Sequence, residues 1–486
     1  MKKFFLALCV LSTSITFGQD GSLDTSFGDN GLVDIDYENS SIDVGGVNQF
    51  SDGSYIVLAG KLESDEKSIL IHKFLNNGSL DTSFGDNGIL TYLPTVREDP
   101  RATYIVEEDK ILYVFNKEAQ GNFFKKFLPD GTLDTSFGAN GELEPFPGEF
   151  NAQLRFNKFN SIVAGLKLGT TFRVKRFLLN GDPDTSFGDS GMATIQGPSS
   201  ITFYQSFKIT SDNKILITAE QQVNGEKSPI IFQANQDGSI DTSFGTNGFV
   251  EIPYVDPNDD FVFNSNGVQL FEDGSILIIS IYNFPAYDLA KTRIYKMSSE
   301  GELITAVGSG GEITGDGLPR VIIQENQRFL VMYQPIGMVG TGGRVGISRY
   351  FSNGFEDSSF SFDRAAFPIL TNANFLIDSD GKVVVSGGGR AFEDFFMYRL
   401  NNNPLGIEEN TQNIFTVFPN PANDFITISC TECYLTNKPY QITDTSGKVI
   451  QQANFSVENP TVSMEGFANG LYYLTIENTT VKLVKQ

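Results

Sequence analysis

Nine residues, LDTSFGDNG at 23–31, return almost unchanged at 80–88, 133–141, 183–191 and 240–248. The motif aspartates Asp24, Asp81, Asp134, Asp184 and Asp241 are spaced 57, 53, 50 and 57 residues apart. Two worn copies follow: ELITAVGSGGEI at 302–313 has Ile304 in place of the aspartate, and FEDSSFSF at 355–362 has Asp357 there. RLNNNPLG at 399–406 reads like the approach to one more copy and stops, so seven intervals separate the first motif from this stub. A string recurring at such distances marks one supersecondary unit used repeatedly, and this constrains the fold more than any other feature of the chain.

Every interval contains a very apolar strand: YIVLAG (55–60), ILYVFN (111–116), SIVAGL (161–166), KILITA (214–219), SILIIS (275–280), FLVMYQ (329–334) and KVVVSG (382–387). Most are preceded by another strand and a tight turn such as SDGS or SDNK, whose residues suit hairpin turns. A third strand ending in a polar turn follows (ILIHKFLNNG, FRVKRFLLNG), then the motif, then a short strand such as GLVDIDY or GILTYL. Four strands per interval, seven intervals and no helical period predict an all-β protein. The expected architecture is a seven-bladed β-propeller of four-stranded blades, since a sandwich has no reason to repeat at this length. Residues 31–37 have the character of the outermost strand but no blade in front of them, while the last interval lacks that strand. The N-terminal strand is therefore expected to complete the seventh blade and leave no open sheet edge.

Within the motif the Asp carboxylate can accept the backbone N–H two residues on, an Asx-turn that caps the TSF bend. The phenylalanines Phe27, Phe84, Phe137, Phe187 and Phe244 are apolar wedges, each worth roughly 1.5–3 kcal/mol when buried. The glycines permit the positive φ angles needed to re-enter a strand. Calcium is the rival reading, since DGSLDTSFGDNG gathers carboxylate and carbonyl oxygens. The worn copies weigh against it: Ile304 cannot ligate calcium, whereas Val307 and Phe360 keep the wedge apolar. Five residues before the turn glycine stands a base, Lys73, Lys126, Arg176, Lys296, Arg349 or Arg399, with Gln233 the exception. Gln233 precedes an intact Asp241 and Lys296 precedes Ile304, so a strict base-to-aspartate pair is not expected, and exposed pairs contribute little.

The remainder of the composition limits partners. The chain of 486 residues carries 59 acidic and 35 basic residues, a formal charge of −24, which argues against nucleic acid and anionic lipid surfaces. Residues 1–18 read as a secretory signal peptide, with Lys2, Lys3, an apolar run from Phe4 to Leu11 and cleavage after Gly18. Leu8 before Cys9 is a poor fit to a lipoprotein anchor, and no segment has the ~20 apolar residues of a transmembrane span. Cys430 and Cys433 (CTEC) could close a small disulfide in an exported protein; a redox motif would be expected to open a helix, whereas the neighbours Ile426, Ile428 and Tyr434 have strand character.

GSLDTSFGDNG preceded by KFLNNG, with DGS and an apolar strand upstream, resembles the delta-60 repeat of bacterial β-propellers over about residues 20–403. That family is known by its repeat, so the resemblance implies a fold and an exported setting and supplies no catalytic residues. FTVFPNPANDFITI (415–428), ITDTSGKVI (442–450), GFANGLYYLTIEN (466–478) and the basic end VKLVKQ resemble the C-terminal sorting domain of type IX secretion cargo. Alternation in these short strands also reads as a small β-sandwich. The second resemblance implies a Gram-negative bacterium, handling by the type IX secretion machinery, passage across the outer membrane, and release or surface attachment. The expected organisation is a signal peptide at 1–18, the propeller at 19–403, a linker at 404–413 and the sorting domain at 414–486.

The motif and the DG turns share one face of the expected ring, and the loops that vary lie on the other, where binding sites usually form. IYNFPAYDLA (281–290) clusters Tyr282, Phe284, Tyr287 and Asp288, and YVDPNDDF (254–261) gathers Asp256, Asp259 and Asp260. These are the candidate ligand-binding residues for a sugar, a peptide or a calcium-bridged ligand; the plainer account is aromatics folded on a blade edge and solvated acids. His72 is the only histidine and is expected on the sheet exterior, so Ser-His-Asp and histidine-metal chemistry lack parts. The reading is a secreted or cell-surface binding or adhesion module with no catalytic residues and no cofactor assigned, calcium remaining open. A carbohydrate-active hydrolase or lyase of propeller fold and a structural surface component are the alternatives.

Overall fold

The computed structural model describes residues 20–37, 40–63, 66–94, 98–117, 120–149, 153–157, 161–223, 226–252, 261–282, 291–304, 313–316, 318–334, 344–368, 370–389, 394–402, 415–430, 438–445, 447–455, 460–476 and 479–486. The chain divides into two units, Met1–Pro404 and Leu405–Gln486. Among the described residues all regular structure is strand apart from two short 3-10 turns, Glu107–Asp109 and Arg364–Ala366.

The first unit is a succession of antiparallel sheets in chain order. The first comprises Ser41–Gln49, Tyr55–Glu63, Glu66–Phe74 and Ile89–Tyr92, paired in that sequence. The second is Glu98–Ile105, Ile111–Lys117, Gly121–Phe127 and Glu142–Leu143. The third is Gln153–Asn157, Ser161–Leu168, Thr171–Phe177 and Met192–Gln196, and the fourth Ile201–Ile209, Ile215–Val223, Glu226–Ala234 and Phe249–Glu251. The fifth is Phe261–Leu270, Ile276–Tyr282, Lys291–Met297 and Ile313–Asp316.

Among the described residues the sixth sheet departs from the expected four strands and has three, Leu318–Ile323, Phe329–Gln334 and Gly346–Tyr350. After its worn motif the sequence SFDRAAFP lacks strand alternation. Asp363 caps the amide of Ala365 at 2.9 Å, and the Arg344 guanidinium donates to the Ala365 and Phe367 carbonyls, so a 3-10 turn follows the motif copy at 355–362. The seventh sheet is Thr371–Ile377, Val383–Gly388 and Asp394–Leu400, and its outer strand is Leu32–Asp36 from the N-terminal end of the chain. That strand runs antiparallel to Asp394–Leu400, with Leu32 opposite Tyr398 and Asp36 opposite Asp394.

The very apolar second strand of each sheet is covered on both faces, and every junction between consecutive sheets has its own apolar cluster. One more cluster, containing Val44, Tyr55, Phe74, Val384, Phe395 and Met397, joins the seventh sheet back to the first. The first strands of most consecutive sheets also run beside one another, and Ser41–Gln49 lies against Thr371–Ile377. The succession of sheets therefore closes on itself, with the first strands on the inside.

The second unit has two sheets. Phe425–Cys430 lies between Phe415–Phe418 and Thr461–Ser463; the other sheet runs Val449–Asn454, Pro439–Asp444, Gly470–Ile476, Thr479–Lys485. Ile426, Ile428, Tyr440, Ile442, Met464 and Leu474 form its core. The free edge of the last strand is covered by the Asn-Pro segment: Asn420 bonds both the Lys482 carbonyl (2.7 Å) and the Val484 amide (2.9 Å).

Candidate functional site

The motif folds into the same small joint in each copy that keeps its aspartate. Asp24 Oδ1 accepts from the Ser26 amide at 3.2 Å and from its hydroxyl at 2.6 Å, and the pattern recurs at Asp81, Asp134, Asp184, Asp241 and Asp357. Asn30 and Gly31, at φ 51° and 99°, then turn the chain between the bonded pair Asp29 and Leu32, the geometry of a type I′ hairpin. Gly28 donates its amide to the Asn77 carbonyl in the next sheet at 2.7 Å. A Cβ on Gly78 would sit 2.8 Å from that amide, so glycine is required where the two backbones meet. The wedges Phe27, Phe84, Phe137, Phe187, Phe244 and Phe360 are each buried in the cluster between their own sheet and the next. Ile304 packs into the fifth-to-sixth junction, and Val307 lies outside the described residues.

The expectation of weak, exposed ion pairs is corrected by the structure. Each described motif aspartate meets a cation, and most of these pairs are withdrawn from water. Arg176, Arg349 and Arg399 reach Asp184, Asp357 and Asp24 at 2.8, 2.7 and 2.7 Å, and Lys73 reaches Asp81 at 3.3 Å. Where the usual position holds Gln233, Lys214 from the hairpin turn before the apolar strand takes Asp241 at 2.8 Å. Lys110, Arg328 and Lys382 occupy the same turn position and meet Asp134, Asp357 and Asp24. Two sequence positions thus supply one interaction, which is why comparison of a single column conceals it. Burial pushes the Asp24 carboxyl up, but Lys382, Ser26 and Arg399 together outweigh this and hold it at about 2.

The same bases also tie neighbouring sheets together. Lys126 donates to the Leu179 carbonyl at 2.6 Å, Arg176 to Asn213 at 2.6 Å, Lys296 to the Ser352 carbonyl at 3.0 Å and Arg349 to Asn402 at 2.7 Å. At the seam, Arg399 bonds the Asn76 carbonyl and side chain at 2.8 Å and the Tyr55 hydroxyl at 3.2 Å, and Tyr55 donates to Asp378 at 2.7 Å. Arg176 and Arg399 also lie over the wedges Phe187 and Phe27, 4.6 and 4.8 Å from the ring centres. The motif end of the molecule is therefore occupied by its own side chains.

His72 is not on a sheet exterior. It is fully buried, stacked on Phe395 at 5.3 Å and on Phe74 at 6.1 Å, with its Nε2 bonded to the Tyr37 hydroxyl. Alternation along Ile69–Phe74 points it at the seventh sheet, and both faces of this strand are covered, so no exterior exists there. Burial lowers its pKa to about 4. Lys125 stands at the corresponding place in the second sheet. It meets Tyr92 at 2.5 Å, Glu98 at 2.6 Å and Glu142 at 3.1 Å in an ion-pair cluster that is also buried. Sequence reasoning missed this cluster; the signal was a second lysine beside Lys126 in an otherwise aromatic strand.

Of the candidate ligand-binding residues, Phe284, Tyr287, Asp288, Asp256, Asp259 and Asp260 lie outside the described residues. For Tyr282 the backbone alone is described, ending its strand opposite Phe261 and Lys291. Cys433 is likewise outside, and Cys430 is placed by its backbone opposite Phe415. Among the described residues no group of three or more Asp, Glu, His or Cys side chains is arranged to hold a metal ion, and no helix is long and apolar enough to cross a membrane.

Comparison with known proteins finds a family match within each unit. A family model described as a secretion system C-terminal sorting domain matches residues 416–486. One described as a Domain of unknown function (DUF5122) beta-propeller matches residues 210–244. Beta-agarase A of Zobellia galactanivorans is 30% identical over 84 residues, 17% of this chain, and the match spans only 15% of the agarase. Among solved structures, PorZ, a surface component of the type IX secretion system of Porphyromonas gingivalis, is 14% identical with a TM-score of 0.37 over 90% of this chain and 59% of PorZ. The polysaccharide lyase Uly1 is 9% identical with a TM-score of 0.45 over 74% of this chain and 90% of the lyase. The chain is a β-propeller repeat protein that ends in a type IX secretion sorting domain, and it is exported to the cell surface or the extracellular space.

Proposed function

We propose that the first unit is a seven-bladed propeller acting as a binding or adhesion module for an extracellular glycan or protein, delivered by its sorting domain. The observation that carries this reading is the division of labour between the two ends of the sheets. At the motif end, hydrogen bonds, ion pairs and apolar wedges repeat from sheet to sheet and are used up internally. At the other end the connections differ in length and sequence from sheet to sheet, as variable loops on a rigid frame do. Calcium belongs to this proposal only as a bridging ion for the acidic loop at 254–261.

A screen of the exported chain against polysaccharides and glycoproteins, run with and without a chelator, tests the reading by retention and by product release. Saturable retention without product is the expected result. Released oligosaccharides would replace the module with a hydrolase or lyase, and retention indifferent to chelator would remove the bridging ion.

A further inference from the structure

We propose that Arg320 anchors the carboxylate or sulfate of an anionic glycan on the inside of the ring. The inference rests on the glycan-binding reading above and names the class of glycan. Arg320 lies on Leu318–Ile323, the innermost strand of the sixth sheet, directly opposite Met332. It is half-buried, and among the described residues it meets no carboxylate and no hydrogen-bond acceptor. Arg176, Arg328, Arg349 and Arg399, also withdrawn from water, each hold an aspartate. Loss of water around Arg320 holds its pKa below the ordinary arginine value, the condition in which a guanidinium gains most from an oxyanion.

The charge around it runs against that of the whole chain. The seven innermost strands carry four basic residues, Arg101, Arg155, Lys208 and Arg320, and three acidic ones. Of those three, Glu98 is neutralised by Lys125 at 2.6 Å and Asp43 accepts from Asn372 at 2.7 Å. A chain with 59 acids to 35 bases would be expected to place more acids here, so the first strands do not share in the acidic excess of the chain.

The backbone of the same strands favours a saccharide over an extended acidic peptide. A peptide adding to a sheet needs a regular free edge. Five of these seven strands break register with their partner: between Val44 and Val47, Pro100 and Ala102, Tyr204 and Ser206, Phe263 and Val268, and Thr371 and Asn374. At the last break Asn372 takes φ 49°, which turns its amide outward to Asp43.

The test uses the full exported chain with polygalacturonate (carboxylate), a sulfated carrageenan (sulfate), agarose (neutral) and polyglutamate (acidic peptide). The expected result is binding to one of the two anionic glycans, weakened about tenfold or more by Arg320→Gln and less by Arg320→Lys, with no fall in melting temperature. If Arg320→Gln does lower the melting temperature, Arg320→Lys decides, because it keeps the charge but loses the two-pronged contact. Equal affinity in wild type and both variants overturns the anchor. Binding of agarose alone overturns the anionic ligand and leaves the glycan reading standing. Retention of polyglutamate alone, or of nothing, overturns both.

Discussion

The Arg399 guanidinium closes on the Asp24 carboxylate at 2.7 Å although the two residues stand 375 positions apart in the chain. Lys382 shares the carboxylate, and the far side of the guanidinium reaches Asn76 and Tyr55, so one ion pair joins the N-terminal segment, the seventh sheet and the first. Removing one partner strands a buried charge. Asp24→Asn and Arg399→Met should each cost about 3 kcal/mol, and the double variant clearly less than the sum. A double-mutant cycle by urea denaturation measures this, and additive losses would show that the two residues do not interact.

Acid should weaken the same seam through His72. In the folded chain its pKa is lowered to about 4, whereas in the unfolded chain it is near 6.5. Between these values the unfolded state binds a proton that the folded state refuses, so stability falls as pH drops from about 6.5 to about 4 and this contribution then levels off. Linkage puts the loss at about 3 kcal/mol. Across this window the stability of wild type should fall by that amount relative to His72→Phe, which has no such proton to refuse, and stabilities that change in parallel would refute the assignment.

Lys214 compensates for Gln233, and the two positions should be interchangeable. Lys214→Met leaves Asp241 without its cation and should cost about 1–3 kcal/mol. Adding Gln233→Arg, which restores the arrangement of Arg176 with Asp184, should recover much of the melting temperature. No recovery would mean that the two positions are not equivalent sources of the pair.

Phe187 is fully buried between the third and fourth sheets among Val174, Ala193, Tyr204 and Phe207. Phe187→Ala should cost about 3–5 kcal/mol through lost burial and the cavity left behind. Calorimetry checks it, and a loss below about 1 kcal/mol would show that the junction repacks.

Asn420 holds the edge of the last strand through Lys482 and Val484. Asn420→Ala should speed hydrogen exchange at the Val484 amide while leaving Leu474, on the neighbouring strand, protected. Unchanged exchange at Val484 would place its protection elsewhere.

The repeat made the sheets and the buried wedges readable, because local turn chemistry and strand alternation act within a few residues. Residues 31–37 stood out as a strand with no sheet in front, and the structure pairs Leu32–Asp36 with Asp394–Leu400. What stayed hidden depends on neighbours distant in sequence. Lys214 and Lys382 look like ordinary turn residues until the fold brings them to Asp241 and Asp24. His72 belongs to an alternating pattern that does not reveal whether both faces of the strand are covered. Arg320 meets no carboxylate among the described residues, a property no sequence column displays.

The pairing of Leu32–Asp36 with Asp394–Leu400 also sets an order of assembly. As the chain emerges from the ribosome, each internal sheet can form from a short contiguous stretch, but the strand made first has no neighbour until the last strand of the ring appears. Contacts between such distant positions form slowly. Until that pairing forms, both strands keep an unpaired edge, and the pairing is what leaves the ring without one.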